Sequence, residues 1–204
     1  MHLPYAFQAK RMFPDIFRHD RDGTEMWGPI AEQLGPMPAE HDSDDAQLIE
    51  IWEKAMDGYR RAISKTPEYL EFHASRIEKG QRASSLIGNQ YTGSIFLALM
   101  STIESDFLEN EGMTGERIGL CGYGSGAKAK VFEGIVQPNW EDVAVKFNLF
   151  SRLTERHPID KEIYESLHRG SQKQSVVQPK AEFALISIGG TDVLEGQRKY
   201  SWVE

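Results

Sequence analysis

Residues 88–104, GNQYTGSIFLALMSTIE, and residues 117–132, RIGLCGYGSGAKAKVF, decide how this chain is read. In the first, Ile95, Phe96, Leu97, Ala98, Leu99, Met100 and Ile103 are apolar nearly all round a helix. Such a helix is expected to be buried on most sides, between sheets or between a sheet and another helix. Ahead of it, Asn89 can place its amide on a carbonyl, Thr92 can cap the helix and Gly93 lets another element come close. A capped helix start with no ligand is the plainer reading of the same residues. In the second stretch, Arg117 to Cys121 reads as a strand, Gly122 to Gly126 as a turn and Lys130 to Val136 as the returning strand. Glycines let the backbone bend closely around a ligand, and the N–H groups of such a turn can face a developing oxyanion. A plain glycine-rich hairpin explains the letters equally well.

Three better-known glycine motifs fail here. Gly122 to Ala127 fits the letters G-x-G-x-x-A, but a dinucleotide fold needs a crossover helix and a second strand ending in an acid. Gly134 and Pro138 arrive too soon for both. A phosphate loop fails because no Ser or Thr follows Lys128, and a lipase elbow fails because Tyr123 stands where its first glycine belongs. Cys121 lies in an apolar strand with no adjacent histidine or cation, which predicts a buried structural thiol rather than a nucleophile.

Working outward, residues 5–19 carry Phe7, Met12, Phe13, Ile16 and Phe17 in a rough helical pattern that Pro14 weakens. From Asp20 to Asp45 the density of Gly, Pro and acid predicts a long connection. Its acidic end, Asp42, Asp44 and Asp45, suits the first turn and cap of a helix better than a metal site. Leu48, Ile51, Trp52, Ala55, Met56 and Tyr59 then form an apolar stripe expected in the core. A second helical piece after Pro67 carries His73, read as structural or solvent-facing. Residues 141–156 predict a helix, Asp160 can cap another through Ile163, Tyr164 and Leu167, and FALISI and RKYSWV predict a closing hairpin. No internal repeat is visible.

The chain has 204 residues, with 23 Lys+Arg against 31 Asp+Glu and a formal net charge of −8. Scattered, outnumbered cations argue against a nucleic-acid surface. The single cysteine excludes a disulfide framework and a thiolate-rich zinc site, which suggests a reducing, cytoplasmic compartment. No apolar run suffices for a membrane span, and Met1 to Tyr5 lacks the basic region of a signal peptide. One domain over residues 1–204 is expected, with no metal.

The two quoted stretches, in this order and separation, strongly resemble the second half of hydroxymethylglutaryl-CoA synthases of the thiolase superfamily. His2-Leu3-Pro4-Tyr5 followed by Lys10 and Arg11 is similar to that family's H-x-P-[FY] segment. RLTERHPIDKEIYESLH, residues 152–168, resembles its late helix pair. The resemblance implies an α/β fold, the C-terminal half of a thiolase-like domain, with a mixed sheet packed on a buried helix and peripheral helices. It also implies that a preceding half, bearing the acetyl-accepting cysteine and a catalytic glutamate, is supplied elsewhere. That half would come from a longer frame or from a separate N-terminal subunit.

The resemblance further implies roles for individual residues. His2 would orient acetoacetyl-CoA and polarise its carbonyl. Asn89 would bind a substrate carbonyl, and the Tyr123-Gly124-Ser125-Gly126 turn would bind the acyl oxyanion through the Ser125 N–H. Lys10 and Arg11 would meet CoA phosphates. Phe7 stands where many members carry a lysine, and Gly122 where a serine is usual. The implied activity is an acyltransferase of the mevalonate, isoprenoid and lipid pathways. Its substrates would be coenzyme A thioesters, with no cofactor and no nucleic-acid or membrane partner, and this chain would be inactive alone. A related enzyme acting on carrier-protein-bound acyl groups in polyketide β-branching is the alternative, and a non-catalytic remnant a third reading. A homo-oligomer is expected from the apolar faces such halves expose.

Overall fold

The computed structural model describes residues 8–40, 44–124, 128–190 and 195–204. They gather into two compact units, residues 1–154 and 155–204. The first unit opens with α1 (Gln8–Met12) and α2 (Pro14–Arg21) where the sequence predicts one weakened helix. Pro14 does not weaken a helix but starts one, because a residue in the first turn has no intrahelical use for its N–H. α3 (Trp27–Leu34) corrects the reading of residues 20–45 as an unbroken connection. Pro29 sits in its first turn, where it is tolerated, and Trp27 and Ile30 are buried.

α4 (Ala46–Ile63) starts as expected, with the Asp45 carboxylate accepting the Gln47 N–H at 2.9 Å. Only the later half of its stripe reaches the core. Met56, Tyr59 and Ile63 are buried, whereas Leu48 is exposed and Ile51 is 64% exposed. α5 (Pro67–His73), a π-helical turn (Ala74–Glu78) and α6 (Lys79–Ile87) follow as one continuous run. Phe17, Trp27, Ile30, Tyr59, Ile63 and Tyr69 form the core of these helices, with the Phe17 and Tyr69 rings edge to face at 5.2 Å. The Tyr69 hydroxyl donates to the Lys10 carbonyl at 2.7 Å, which ties α1 to α5.

α7 (Ser94–Leu108) departs most from expectation. It buries its smallest side chains, Ser94, Ala98, Ser101 and Ser105, while Phe96 is 62% exposed and Leu108 is also exposed. The reason is the close approach of α6. A Cβ built on Gly80 would lie 3.2 Å from Thr102 Oγ1 and 3.7 Å from the Ala98 carbonyl oxygen, so only a small-residue stripe fits this crossing. Ser101 goes further and enters the α6 ladder. Its hydroxyl donates to the Lys79 carbonyl at 2.6 Å and accepts the Ala83 N–H at 3.2 Å, the pair that a regular α-helix would join directly. Ser101→Ala is therefore expected to cost about 1–3 kcal/mol by orphaning two buried backbone groups, read as a lower urea midpoint with an unchanged slope. A loss below a few tenths of a kcal/mol means that α6 closes its own bond.

β1 (Arg117–Gly124) and β2 (Lys128–Ile135) form an antiparallel hairpin pairing Leu120 with Phe132, Cys121 with Val131 and Gly122 with Lys130. Met113, Val136, Trp140 and Ala144 make a second small core at the base of this hairpin. The predicted helix over 141–156 is two helices, α8 (Trp140–Ala144) and α9 (Leu149–Thr154). They are parted at Asn148, whose φ of 50° takes the chain out of helical geometry. The Glu104 carboxylate of α7 caps α9 by accepting the Leu149 and Phe150 N–H groups at 2.8 and 3.0 Å.

The second unit holds α10 (Lys161–His168), capped as predicted by Asp160 on the Ile163 N–H at 2.8 Å. It also holds the predicted hairpin of β3 (Glu182–Ile188) and β4 (Arg198–Val203), with a register shift between Leu185 and Ser187. Among the described residues no helix is long and apolar enough to cross a membrane.

Candidate functional site

The two stretches that open the sequence reading meet at one end of the first unit. Asn89 Oδ1 accepts the Tyr91 N–H at 2.7 Å, and Ser94 Oγ donates to the same oxygen at 3.4 Å. Ser94 Oγ in turn accepts the Gln90 N–H at 2.9 Å. The result is an Asx turn closed onto the first residue of α7. The next residues form a short 3₁₀ turn, Tyr91–Gly93, in which exposed Tyr91 has a φ of 51°. A left-handed aromatic costs about 1 kcal/mol or more, and such strain concentrates at sites that hold a ligand. Thr92 does not cap α7 as the sequence suggests. The N-cap is Gly93, which has no side chain to cap with, and Ser94 turns back to accept the Gln90 N–H.

α7 then packs on β1. A Cβ on Gly122 would touch Ile95 Cδ1 at 3.7 Å and the Lys130 carbonyl oxygen at 3.8 Å, both ordinary contacts. A Cβ therefore fits at Gly122 without displacement. The half-buried Asn89 loop thus leads into the part of α7 that lies on β1 at Gly122. Ser125 and Gly126 lie outside the described residues, as does His2. Lys10 and Arg11 are on α1. The Lys10 side chain borders a cleft shared with His73 and Ser105, and Asn89 does not border that cleft. Asn89 therefore sits at the start of the helix whose Ile95 meets Gly122 of β1, and Lys10 borders another cleft.

A second cleft, of about 390 Å³, runs between the π-helical turn, α7 and β1, bordered by Ile95, Ala98, Met113, Leu120 and Cys121. Cys121 is half-buried beside it rather than sealed in the core as expected, since β1 pairs on one edge alone among the described residues. At the far end, the Lys79 ammonium donates to Asp106, to Glu111 at 2.7 Å and to Glu109 at 2.9 Å. These hydrogen bonds to carboxylates raise the Lys79 pKa although burial opposes them. Asp106, Glu109 and Glu111 have oxygens within 4.8 Å of one another, and the ammonium sits among them. Sequence reasoning missed this network and the role of Glu104. The signal was present in Glu104, Asp106, Glu109 and Glu111, carboxylates crowding the end of an apolar helix.

An Asx-turned polar loop opens a helix that lies on β1, a strand whose pairing runs on through Gly122 to Gly124, where the sequence predicts a turn. This α/β fold is of the thiolase-like class of synthases on which it superposes. Across the whole chain it superposes on 40% of MvaS, solved with 3-hydroxy-3-methylglutaryl coenzyme A, with a TM-score of 0.64 and 22% identity. It also superposes over 70% of its length on 38% of PksG, a HMG-CoA synthase from Bacillus subtilis, with a TM-score of 0.53 and 26% identity. The family model described as hydroxymethylglutaryl-coenzyme A synthase C terminal matches residues 51–185, and the chain belongs to that family.

Among curated relatives, the hydroxymethylglutaryl-CoA synthase of Haloferax volcanii is 28% identical over all of this chain and 45% of its own length. That of Schizosaccharomyces pombe is 34% identical over 80% of this chain and 34% of its own length. The polyketide 3-hydroxy-3-methylglutaryl-ACP synthase PksG of Bacillus subtilis is 28% identical over 63% of this chain. The chain spans less than half the length of these relatives.

Proposed function

We propose that this chain is the second-substrate side of a hydroxymethylglutaryl-CoA synthase, whose complete form condenses acetyl-CoA with acetoacetyl-CoA. The observation that carries the proposal is the Asn89 turn, locked by Tyr91 and Ser94 at the start of the helix whose Ile95 meets Gly122 of β1. In this reading a cysteine on the remaining part of the protein takes the acetyl group as a thioester and releases CoA. Loss of a proton from the acetyl methyl group gives a carbanion that attacks the ketone carbon of acetoacetyl-CoA. The new alkoxide takes a proton, and water cleaves the enzyme thioester. Asn89 and the Ser125 N–H hold carbonyl oxygens as charge develops on them, His2 polarises the ketone, and Lys10 and Arg11 meet CoA phosphates.

Exposed apolar side chains support a missing partner surface. Phe96 on α7 and Val131 and Phe132 on β2 lie open, and a two-stranded hairpin is marginal unless something packs on it. The compartment would be the cytoplasm and the pathway that of mevalonate and isoprenoids.

Asn89→Asp separates structure from chemistry. It keeps the acceptor oxygen that holds the Tyr91 N–H and removes the amide donor. In the complete protein we expect kcat/KM to fall about 10²–10³-fold with an unchanged melting temperature, measured by thiol release. Full activity in that variant overturns the role of Asn89. The similarity to PksG favours a second reading, action on carrier-bound acyl groups. Offering the complete enzyme acetoacetyl-CoA and acetoacetyl carrier protein side by side separates the two, because the true acceptor has the higher kcat/KM.

A further inference from the structure

Leu48, Ile51 and Trp52 fall at i, i+3 and i+4 in the first half of α4, so they share one face of that helix. Leu48 and Ile51 are exposed and Trp52 is half-buried. Nearby stand Ile16 of α2, 54% exposed, and Met37 of the connection that leads into α4, also exposed. Ile16, Met37, Trp52 and Met56 border one cleft of about 430 Å³ between α2, that connection and α4. The Arg60 guanidinium of α4 donates to the Asp15 carboxylate of α2 at 2.7 Å, which fixes the distance between the two walls. The cleft is therefore preformed, and four large apolar side chains stand open in it or beside it. A solvated patch of that kind marks a surface that another molecule covers.

Charge indicates what that molecule is. Residues 36–57 hold seven acids and one lysine, so −6 of the chain's formal −8 is concentrated there. The lysine, Lys54, is engaged by Glu50 at 2.7 Å. Glu40 borders the cleft and is exposed, as is Asp44 just ahead of the apolar stripe. At the opposite end Arg18 and Arg60 are each matched by an acid, Asp22 at 3.8 Å and Asp15 at 2.7 Å. An acidic rim repels nucleic acid and anionic lipid and attracts a cationic partner. A groove between two helices with an apolar floor suits an amphipathic helix, whose own apolar stripe fills it. Most of this surface precedes residue 51, where the match to the family model begins.

We propose that the cleft between α2 and α4 is a docking surface for a basic amphipathic helix of a partner protein. The apolar side chains of that helix, at i, i+3, i+4 and i+7, cover Ile16, Met37, Leu48 and Ile51. The Lys or Arg side chains that flank them meet Glu40 and Asp44. The surface does not depend on the reaction proposed at Asn89.

A fluorescent peptide of about 18 leucines and lysines, with leucines at that spacing, is the probe, followed by anisotropy. It is expected to bind the chain saturably with a stoichiometry of one, and about tenfold more weakly in about 1 M salt, where exposed charges are screened. Ile51→Ser is expected to weaken binding about tenfold, the loss of one aliphatic side chain buried on docking. It should leave the melting temperature unchanged, because Ile51 is exposed in the free chain. Glu40→Gln together with Asp44→Asn is expected to weaken binding about two- to fivefold, while Asp45, which caps α4, is left in place. Absence of saturable binding overturns the proposal, as does equal binding of a peptide with glutamates in place of the lysines. Binding that Ile51→Ser leaves unchanged puts the peptide elsewhere and overturns it too. So does self-association of the chain that Ile51→Ser abolishes, or loss in that variant of assembly with the remaining part of the protein, because the face then has another occupant.

Discussion

Glu104→Ala is expected to lower the stability of the first unit by about 3–5 kcal/mol. Glu104 is only 5% exposed, and its two carboxylate oxygens each accept one N–H from the first residues of α9. Hydrogen bonds to a charged group contribute about 1.5–3 kcal/mol each, and truncation orphans the Leu149 and Phe150 N–H groups together. Phe150 is itself buried, so water cannot readily replace the lost acceptor. The positive end of α9 also loses the negative charge that faces it. Against a total stability of about 5–15 kcal/mol for an ordinary domain, the loss is enough to unfold a substantial share of molecules. Glu104→Gln keeps one acceptor and fills the same volume, so it should fall between wild type and alanine. Urea unfolding of the three chains gives the order directly, and an alanine variant within 1 kcal/mol of wild type refutes the cap.

Local signals in the sequence were legible wherever a side chain acts on its own backbone. Asp45 and Asp160 cap the helices that their positions predict, and the hairpins over 117–135 and 182–203 follow from alternation and turn residues. α3 was missed because Gly28, Pro29 and Gly35 read as loop letters. Pro29 falls in a first turn and Gly35 just past a helix end with a φ of 77°, places where those residues favour a helix.

Burial was the weaker inference. Counting apolar letters hid the Ser94, Ala98, Ser101 and Ser105 stripe that decides which side of α7 faces inward. The same count placed Leu48 and Ile51 of α4 in a core that this chain does not build around them. Apolar content measures what a helix can bury, whereas the partner element measures what it does bury. For the site, the Asn89 and glycine segments stood out, but the Lys79 network with Asp106, Glu109 and Glu111 did not. Lys79 opens α6 while its three carboxylates lie at and beyond the end of α7, so only the fold brings them together.

The isolated chain is expected to release no free CoA from acetyl-CoA and acetoacetyl-CoA above the enzyme-free rate. Covalent acyl transfer needs a thiolate made reactive by a nearby base or cation. The chain has one cysteine, and Cys121 sits on β1 opposite Val131, beside a cleft bordered by Ile95, Ala98, Met113 and Leu120. Lys79 also borders that cleft, but its ammonium is held by three carboxylates and is not available to stabilise a thiolate. In the proposed division of labour the nucleophile lies on the other part, so this chain forms no acyl-enzyme, and the rate should drop by about 10⁴-fold or more relative to the complete protein. Thiol release followed with a chromogenic disulfide measures both. Adding the remaining part of the protein should restore turnover if the two pieces assemble, and Cys121→Ala should then cost less than about twofold, because that side chain only fills space. Turnover by the isolated chain that vanishes in Cys121→Ala would make Cys121 the nucleophile and overturn the division of labour proposed for the two parts.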